Sequence, residues 1–264
     1  MNETVAAFPV FINCRDRVTP LRQLVDWLER TGCDEIYLID NDSAYEPLLD
    51  YYETTPHTVV RLGENYGKWS LWQAPGIFDL TKGRRFAYTD PDVIPAPDCP
   101  SDALERFSKL LDTYRLPNKV GFGLRIDDIP DWYRHKEAVL AAETAMWQWP
   151  LEPGAYYCPI DTTFALYREQ GSWAREAIRT GPPYIARHDS WYIDFEDLTD
   201  EEVFYERRAT SETAHTSGMA HWVAPELDSH HSSFLANRDA YIPNRLTRLR
   251  WRFRGRRYVR RGRK

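Results

Sequence analysis

Cysteine is scarce in this chain: four residues in 264, Cys14, Cys33, Cys99 and Cys158, with no C-x-x-C pair among them. Such wide spacing is poor for a zinc site and sparse for a disulfide framework. Nor is there an apolar run approaching the ~20 residues that a membrane-spanning helix needs. The start, Met1-Asn2-Glu3-Thr4, places no basic residue ahead of the short apolar stretch 5–12, so a secretory leader is not expected. Internal repeats are missing, and low complexity is confined to the end of the chain. These absences predict a cytoplasmic protein.

Acidic residues are missing altogether from residues 245–264. There, 11 basic side chains interleave with Leu246, Leu249, Trp251, Phe253, Tyr258 and Val259. The whole chain carries −6, so residues 1–244 alone carry −17. An acidic body with a basic tail predicts one domain over 1–244 and a tail, 245–264, with a partner of its own. Arginines mixed with aromatics suit the headgroup layer of an anionic membrane, which makes peripheral contact at the inner membrane face the expectation. A solvated tail is the competing reading. The same residues suit nucleic acid, but the acidic body would repel phosphates, so nucleic acid is not the expected partner.

What is present reads as an alternation of strands and helices. Residues 5–12 form an apolar run of the kind a buried strand makes. Thr19-Pro20 then supplies an N-cap and first turn, Leu21, Leu24, Val25 and Leu28 recur at helical spacing, and Gly32 closes the segment. Further strands are expected over 35–39, 57–62, 85–89, 120–125 and 162–167, with helices over 47–52, 101–114 and 136–147. This order predicts an α/β domain: a mostly parallel central sheet flanked by helices. Ligands of such sheets bind beyond the carboxyl ends of the strands. Polar clusters stand there after four consecutive strands: residues 13–17, 40–43, 65–68 and 90–92. The 10 Trp, 16 Tyr and 11 Phe serve first as core, although flat aromatic faces also line sugar and base sites.

Asp90-Pro91-Asp92 is the sharpest of these clusters. Pro91 helps the chain turn, so that two carboxylates, which would otherwise point to opposite sides of a strand, approach one hard cation such as Mg²⁺ or Mn²⁺. An isolated D-x-D is more often an ordinary turn; its position directly after an apolar strand argues otherwise. With Asn13-Cys14-Arg15-Asp16-Arg17, the run 37–43 and Asn65-Tyr66-Gly67, this motif resembles bacterial GT-A glycosyltransferases, including relatives of family 2, over residues 5–225. The resemblance implies a GT-A (Rossmann-like) fold, a UDP- or GDP-sugar donor, and a saccharide, lipid-linked or other envelope acceptor. By position it implies Asp40 at the base and Arg15 at the ribose or phosphates, with Asn13, Asn65 and Lys68 lining the donor site. Asp90 and Asp92 would hold Mn²⁺ or Mg²⁺. Family 2 chains often carry a longer, more glycine-rich stretch after the third strand than Asn65-Tyr66-Gly67-Lys68-Trp69-Ser70.

In the second half, Asp189 is the leading candidate for the base that takes a proton from the acceptor hydroxyl, Asp161 the second, and His188 an acceptor-side or orienting residue. Asp189 also suits a helix N-cap. His221 is a candidate third metal ligand, although a lone histidine is more often structural. Trp147 and Trp149 are read as core or as an acceptor lip. Two alternatives remain open at this point: a carbohydrate- or envelope-binding protein that retains the fold without catalysis, and a nucleotidyltransferase. The latter usually carries a glycine-rich basic loop after its first strand, which this chain lacks.

Overall fold

The computed structural model describes residues 8–115, 117–147, 150–160, 164–172 and 177–209. The first apolar run forms β1 (Val10–Cys14), followed by α1 (Thr19–Arg30) and β2 (Ile36–Asp40). Next come α2 (Glu46–Thr54), β3 (Thr58–Arg61), a 3-10 turn (Gly67–Trp69) leading into the short α3 (Ser70–Gln73), and a second 3-10 turn (Phe78–Thr81). β4 (Phe86–Thr89) and β5 (Val93–Pro95) bracket the paired aspartates. The chain continues through α4 (Ala103–Thr113), β6 (Lys119–Leu124), α5 (Lys136–Met146), β7 (Pro150–Glu152), β8 (Ala155–Tyr157), β9 (Ala165–Tyr167) and β10 (Ala177–His188). A third 3-10 turn (Asp189–Tyr192) and α6 (Asp200–Arg208) complete the described part. Among the described residues no helix is long and apolar enough to cross a membrane.

All these strands join one ten-stranded sheet in the order β3-β2-β1-β4-β9-β6-β10-β8-β7, with β5 paired to β10. All but β5, β8 and β9 run in one direction, so the fold is α/β with a mostly parallel central sheet. A parallel sheet of this kind must be covered on both faces, and alternation along β1 sorts its side chains accordingly. Val10, Ile12 and Cys14 join the larger core with Leu21, Leu24 and Leu28 of α1, Leu48 of α2 and Phe107 of α4. Phe11 faces the other way, into a smaller core with Leu71 of α3, Phe86, Tyr88 and Tyr167. That second face carries a line of aromatic rings across four neighbouring strands. Tyr37 stacks on Phe11 at 4.6 Å, Phe11 meets Phe86 edge-on at 6.2 Å, and Phe86 stacks on Tyr167 at 5.2 Å. Cross-strand aromatic pairs each add about 0.5–1.5 kcal/mol beyond their buried area.

β10 runs through Gly181-Pro182-Pro183, a sequence that reads as a turn. Its pairing with β6 shifts register between Thr180 and Ile185, so neither proline has to donate to that ladder. Thr19 is the first residue of α1; the N-cap position belongs to Val18, whose side chain caps nothing.

The chain steps outward from β1 to β2 and β3, then crosses back to β4 on the other side of β1. This reversal leaves a crevice beyond the carboxyl ends of β1 and β4, the usual ligand position in open α/β sheets.

Packing of β6 on β9 leaves no room for a side chain at Gly121, where a Cβ would stand 2.3 Å from the Phe164 carbonyl oxygen and 2.8 Å from the Ala165 Cβ. Gly121→Ala is expected to destabilise the protein by about 1–3 kcal/mol. An unchanged urea midpoint would contradict that close approach.

Candidate functional site

Asp92 is buried and held by several partners. One of its carboxylate oxygens, Oδ2, accepts hydrogen bonds from Arg17 Nη1 at 2.7 Å and Ser190 Oγ at 2.7 Å, and His188 Nε2 lies 3.9 Å away. Burial works against ionisation here, but the neighbouring His188, Arg17 and Ser190 outweigh it and hold the carboxyl well below the usual carboxylate range. Arg17 is only 5% exposed. Its second terminal nitrogen stands 3.5 Å from Asp189 Oδ2, and its guanidinium carbon lies 5.3 Å from the ring centroid of Tyr205. Burial pushes the Tyr205 phenol up to about 12, against the pull of Arg17 and with the help of Asp92 and Asp90. Both aspartates of the motif therefore act on one neighbourhood. Asp90 itself is half-buried and accepts a long hydrogen bond, 3.4 Å, from Asn13 Nδ2.

Strand pairing brings Asp189 here. β5 lies antiparallel to β10 with His188 opposite Val93, and the Asp189 N–H donates to the Asp92 carbonyl at 2.8 Å. Asp189 opens the 3-10 turn, whose N-cap is His188. Its side chain is 33% exposed. Burial raises its pKa, Asp92 adds to the rise, and Arg17 and His188 oppose it. The His188 ring stacks on Trp191 at 5.2 Å, and its Nδ1 has no hydrogen-bond partner among the described residues.

The donor-side residues divide into two kinds. Asn13 donates to the Gly67 carbonyl at 3.3 Å and accepts from Ser70 Oγ at 2.7 Å. Asn41 does the same work from just beyond β2, donating to the Gly67 carbonyl at 2.9 Å and accepting from the Tyr66 N–H at 2.7 Å. Together they pin the loop after β3, which turns at Gly67 with φ of 59°, a left-handed conformation that suits glycine. Asn65 accepts from the Gly67 N–H at 2.8 Å. These asparagines shape the crevice wall. Three others expected at the donor make different contacts. Asp40 is buried, accepts from the Ser43 N–H at 3.1 Å and Tyr52 at 3.4 Å, and has its pKa raised by burial. Arg15 is half-buried, with its Nε beyond hydrogen-bond reach of its ion-pair partner Asp16 Oδ2, 4.0 Å away. Lys68 is exposed, its ammonium 5.4 Å over the Trp69 ring.

α6 ties the site's loops together from far along the chain. Glu201 accepts from the Val18 N–H at 2.9 Å and the Thr19 N–H at 3.1 Å, satisfying the open end of α1 that no local side chain caps. Arg208 donates to Asp16 Oδ2 at 2.9 Å, while Asp16 Oδ1 accepts from the Ala44 and Tyr45 N–H groups at the start of α2. Asp16 holds this bridge with φ of 51°. Sequence reasoning assigned no role to Arg17, Ser190, Asp16, Asn41, Glu201, Tyr205 or Arg208. The one available signal was Asp16-Arg17, two opposite charges directly behind a buried strand.

The motif would offer a hard divalent cation the carboxylate oxygens of Asp90 and Asp92, of which Asp92 Oδ2 already accepts from Arg17 and Ser190. No cluster of three or more His, Cys, Asp or Glu side chains placed to hold a metal occurs among the described residues. A cation here would therefore draw its remaining ligands from phosphate and water, the habit of Mg²⁺ in nucleotide sites. Asp161, His221, Trp149 and the tail 245–264 lie outside the described residues. Trp147 is half-buried and packs against Gly123, Gly181 and Tyr156.

No protein-family profile matches this chain, and no curated protein matches it. Among solved structures it is similar to glucosyl-3-phosphoglycerate synthase from Mycobacterium tuberculosis in complex with phosphoglyceric acid. The identity is 14% and the TM-score 0.39, over 62% of this chain and 57% of that one. The chain thus spans little more than half of that structure, and so distant a likeness carries no argument about function.

Glu201→Ala removes the anion from the start of α1 and is expected to cost about 1 kcal/mol of stability. The capping box of Thr199 and Glu202 leaves α6 its own start. Urea denaturation checks this, and an unaltered midpoint would show that water caps α1 equally well.

Proposed function

We propose that this chain is a nucleotide-sugar-dependent glycosyltransferase of the GT-A type that requires Mn²⁺ or Mg²⁺. It moves a sugar from a UDP- or GDP-linked donor to a saccharide, lipid-linked or other envelope acceptor. One observation carries this reading: Asp90, Asp92, Arg15, Arg17 and Asp189 converge at the strand ends bordering the switch point between β1 and β4. A diphosphate leaving group needs cationic neutralisation beside a carboxylate that serves the acceptor, and this crevice offers both.

Asp40, at the carboxyl end of β2, contacts the base of the donor. Arg15, half-buried beside Asp16, meets its ribose or phosphates, and Lys68 stands at the outer wall. Asp90 and Asp92 would hold the cation, which supplies charge neutralisation at the departing diphosphate. Asp189 takes the proton from the acceptor hydroxyl; a pKa raised by burial makes it a stronger base than a free aspartate. If the anomeric configuration is retained, the same carboxylate stabilises positive charge on the sugar instead. His188 lines the acceptor side. Asp161 is the second acid and His221 a further metal ligand in this proposal, and the tail 245–264 contacts an anionic membrane at its cytoplasmic face.

Asp90 is the cleaner probe of the two motif aspartates, because removing Asp92 would strand the buried Arg17 at a cost of about 3–5 kcal/mol. Asp90→Asn is expected to lower turnover at least about 100-fold while leaving the melting temperature near that of the parent. In a thermal-shift panel of nucleotide diphosphates and nucleotide sugars, one nucleotide family is expected to stabilise the parent only with Mn²⁺ or Mg²⁺ present. Ligand at ~100 Kd adds about 2.7 kcal/mol. Full activity in excess chelator would sink the metal requirement, and no shift with any nucleotide would sink the transferase reading.

A further inference from the structure

The guanidinium of Arg17 occupies Oδ2 of Asp92, one of the two oxygens that the carboxylate could offer a cation. Its Nη1 is 2.7 Å from Asp92 Oδ2 and 3.4 Å from Ser190 Oγ, its Nη2 is 3.5 Å from Asp189, and Tyr205 covers its face at 5.3 Å. Arg17 is 5% exposed and Asp92 7% exposed. Without a counter-ion, a carboxylate buried to this degree would have to protonate or move toward water. With one, it stays charged and oriented, but part of its affinity for any other cation is already used. Asp92 and Asp189 both lie against the Arg17 guanidinium, which lowers the negative charge they offer a divalent ion.

We infer that Arg17 is a resident counter-ion that keeps Asp92 charged and in place while the crevice lacks metal, and that it competes with the divalent cation for Asp92. It is a positioning residue. The inference rests on the reading of Asp90 and Asp92 as metal ligands and adds an order of binding. Metal alone binds poorly, because it must displace an internal positive charge. Metal with a nucleoside diphosphate binds well, because the phosphates bring negative charge and give the released guanidinium a new partner.

Titration of the full chain with MnCl₂, followed by the EPR signal of free Mn²⁺, tests this without reference to turnover. The parent is expected to bind Mn²⁺ alone weakly and at least about tenfold more tightly with UDP or GDP present. Arg17→Gln is expected to bind Mn²⁺ alone at least about tenfold more tightly than the parent, since one unit charge a few ångströms away is removed from a partly buried site. Arg17→Lys, which keeps the charge, is expected to stay within about threefold of the parent. Equal or weaker binding by Arg17→Gln, when the parent binds Mn²⁺ with nucleotide and Asp90→Asn does not, would overturn the competition while leaving the metal-dependent transferase intact. No Mn²⁺ binding by parent or variant, with or without nucleotide, would overturn both. Should Arg17→Gln fail to fold, the parent itself decides. Its Arg17 side-chain ¹⁵N signals, identified by their absence in Arg17→Lys, are expected to shift when Mg²⁺ and the nucleotide diphosphate are added together. Signals unchanged at saturation would show that the Arg17–Asp92 pair persists, and would overturn the inference.

Discussion

The ion pair between Arg17 and Asp92 is the interaction around which the crevice is organised. Arg17 comes from the loop after β1, Asp92 from the turn between β4 and β5, and both partners are almost out of contact with water. A buried pair is poor evidence of net stabilisation, because desolvation can cancel the attraction. Its value is geometric. The pair, with Ser190 from the turn after β10, fixes the relative position of three segments that approach one another only in the folded chain. Tyr205 of α6 closes over it, so a fourth segment reports to the same charge.

The other polar contacts of the crevice extend this arrangement. Glu201 completes the amino end of α1, Arg208 and Asp16 link α6 to the start of α2, and Asn13 with Asn41 pins the loop at Gly67. Each of these side chains satisfies backbone groups or charges that would be costly to leave unpaired away from water. The result is a site whose walls are held by tertiary hydrogen bonds, while Asp90, Arg15 and Lys68 retain partial exposure. The floor is held in a different way. The aromatic line from Tyr37 to Tyr167 and the two apolar cores hold the sheet from both sides.

Much of the scaffold was legible in the chain itself. Apolar runs of strand length, helical periodicity in residues 21–28 and the alternation between them predicted β1, α1 and the mostly parallel sheet. Those signals are local, since burial on a given face imposes a period that any reader of the sequence can count. The paired aspartates were legible for the same reason: they directly follow a buried strand. β10 was not, because Gly181-Pro182-Pro183 carries turn chemistry that a register shift accommodates. The short strands β5, β7 and β8 were missed as well, being too brief to show a period.

Sequence alone, then, determined an α/β chain with acidic strand ends, a charged loop behind β1 and a basic tail, because composition and periodicity act over a few neighbouring residues. Only the tertiary structure decided what those acids touch. Asp92 and Asp189 meet through the pairing of β5 with β10 across almost a hundred residues, and Glu201 caps a helix that begins nearly two hundred residues earlier. Such contacts come from closing long loops around a common core, and no local pattern records which distant charge will neutralise which.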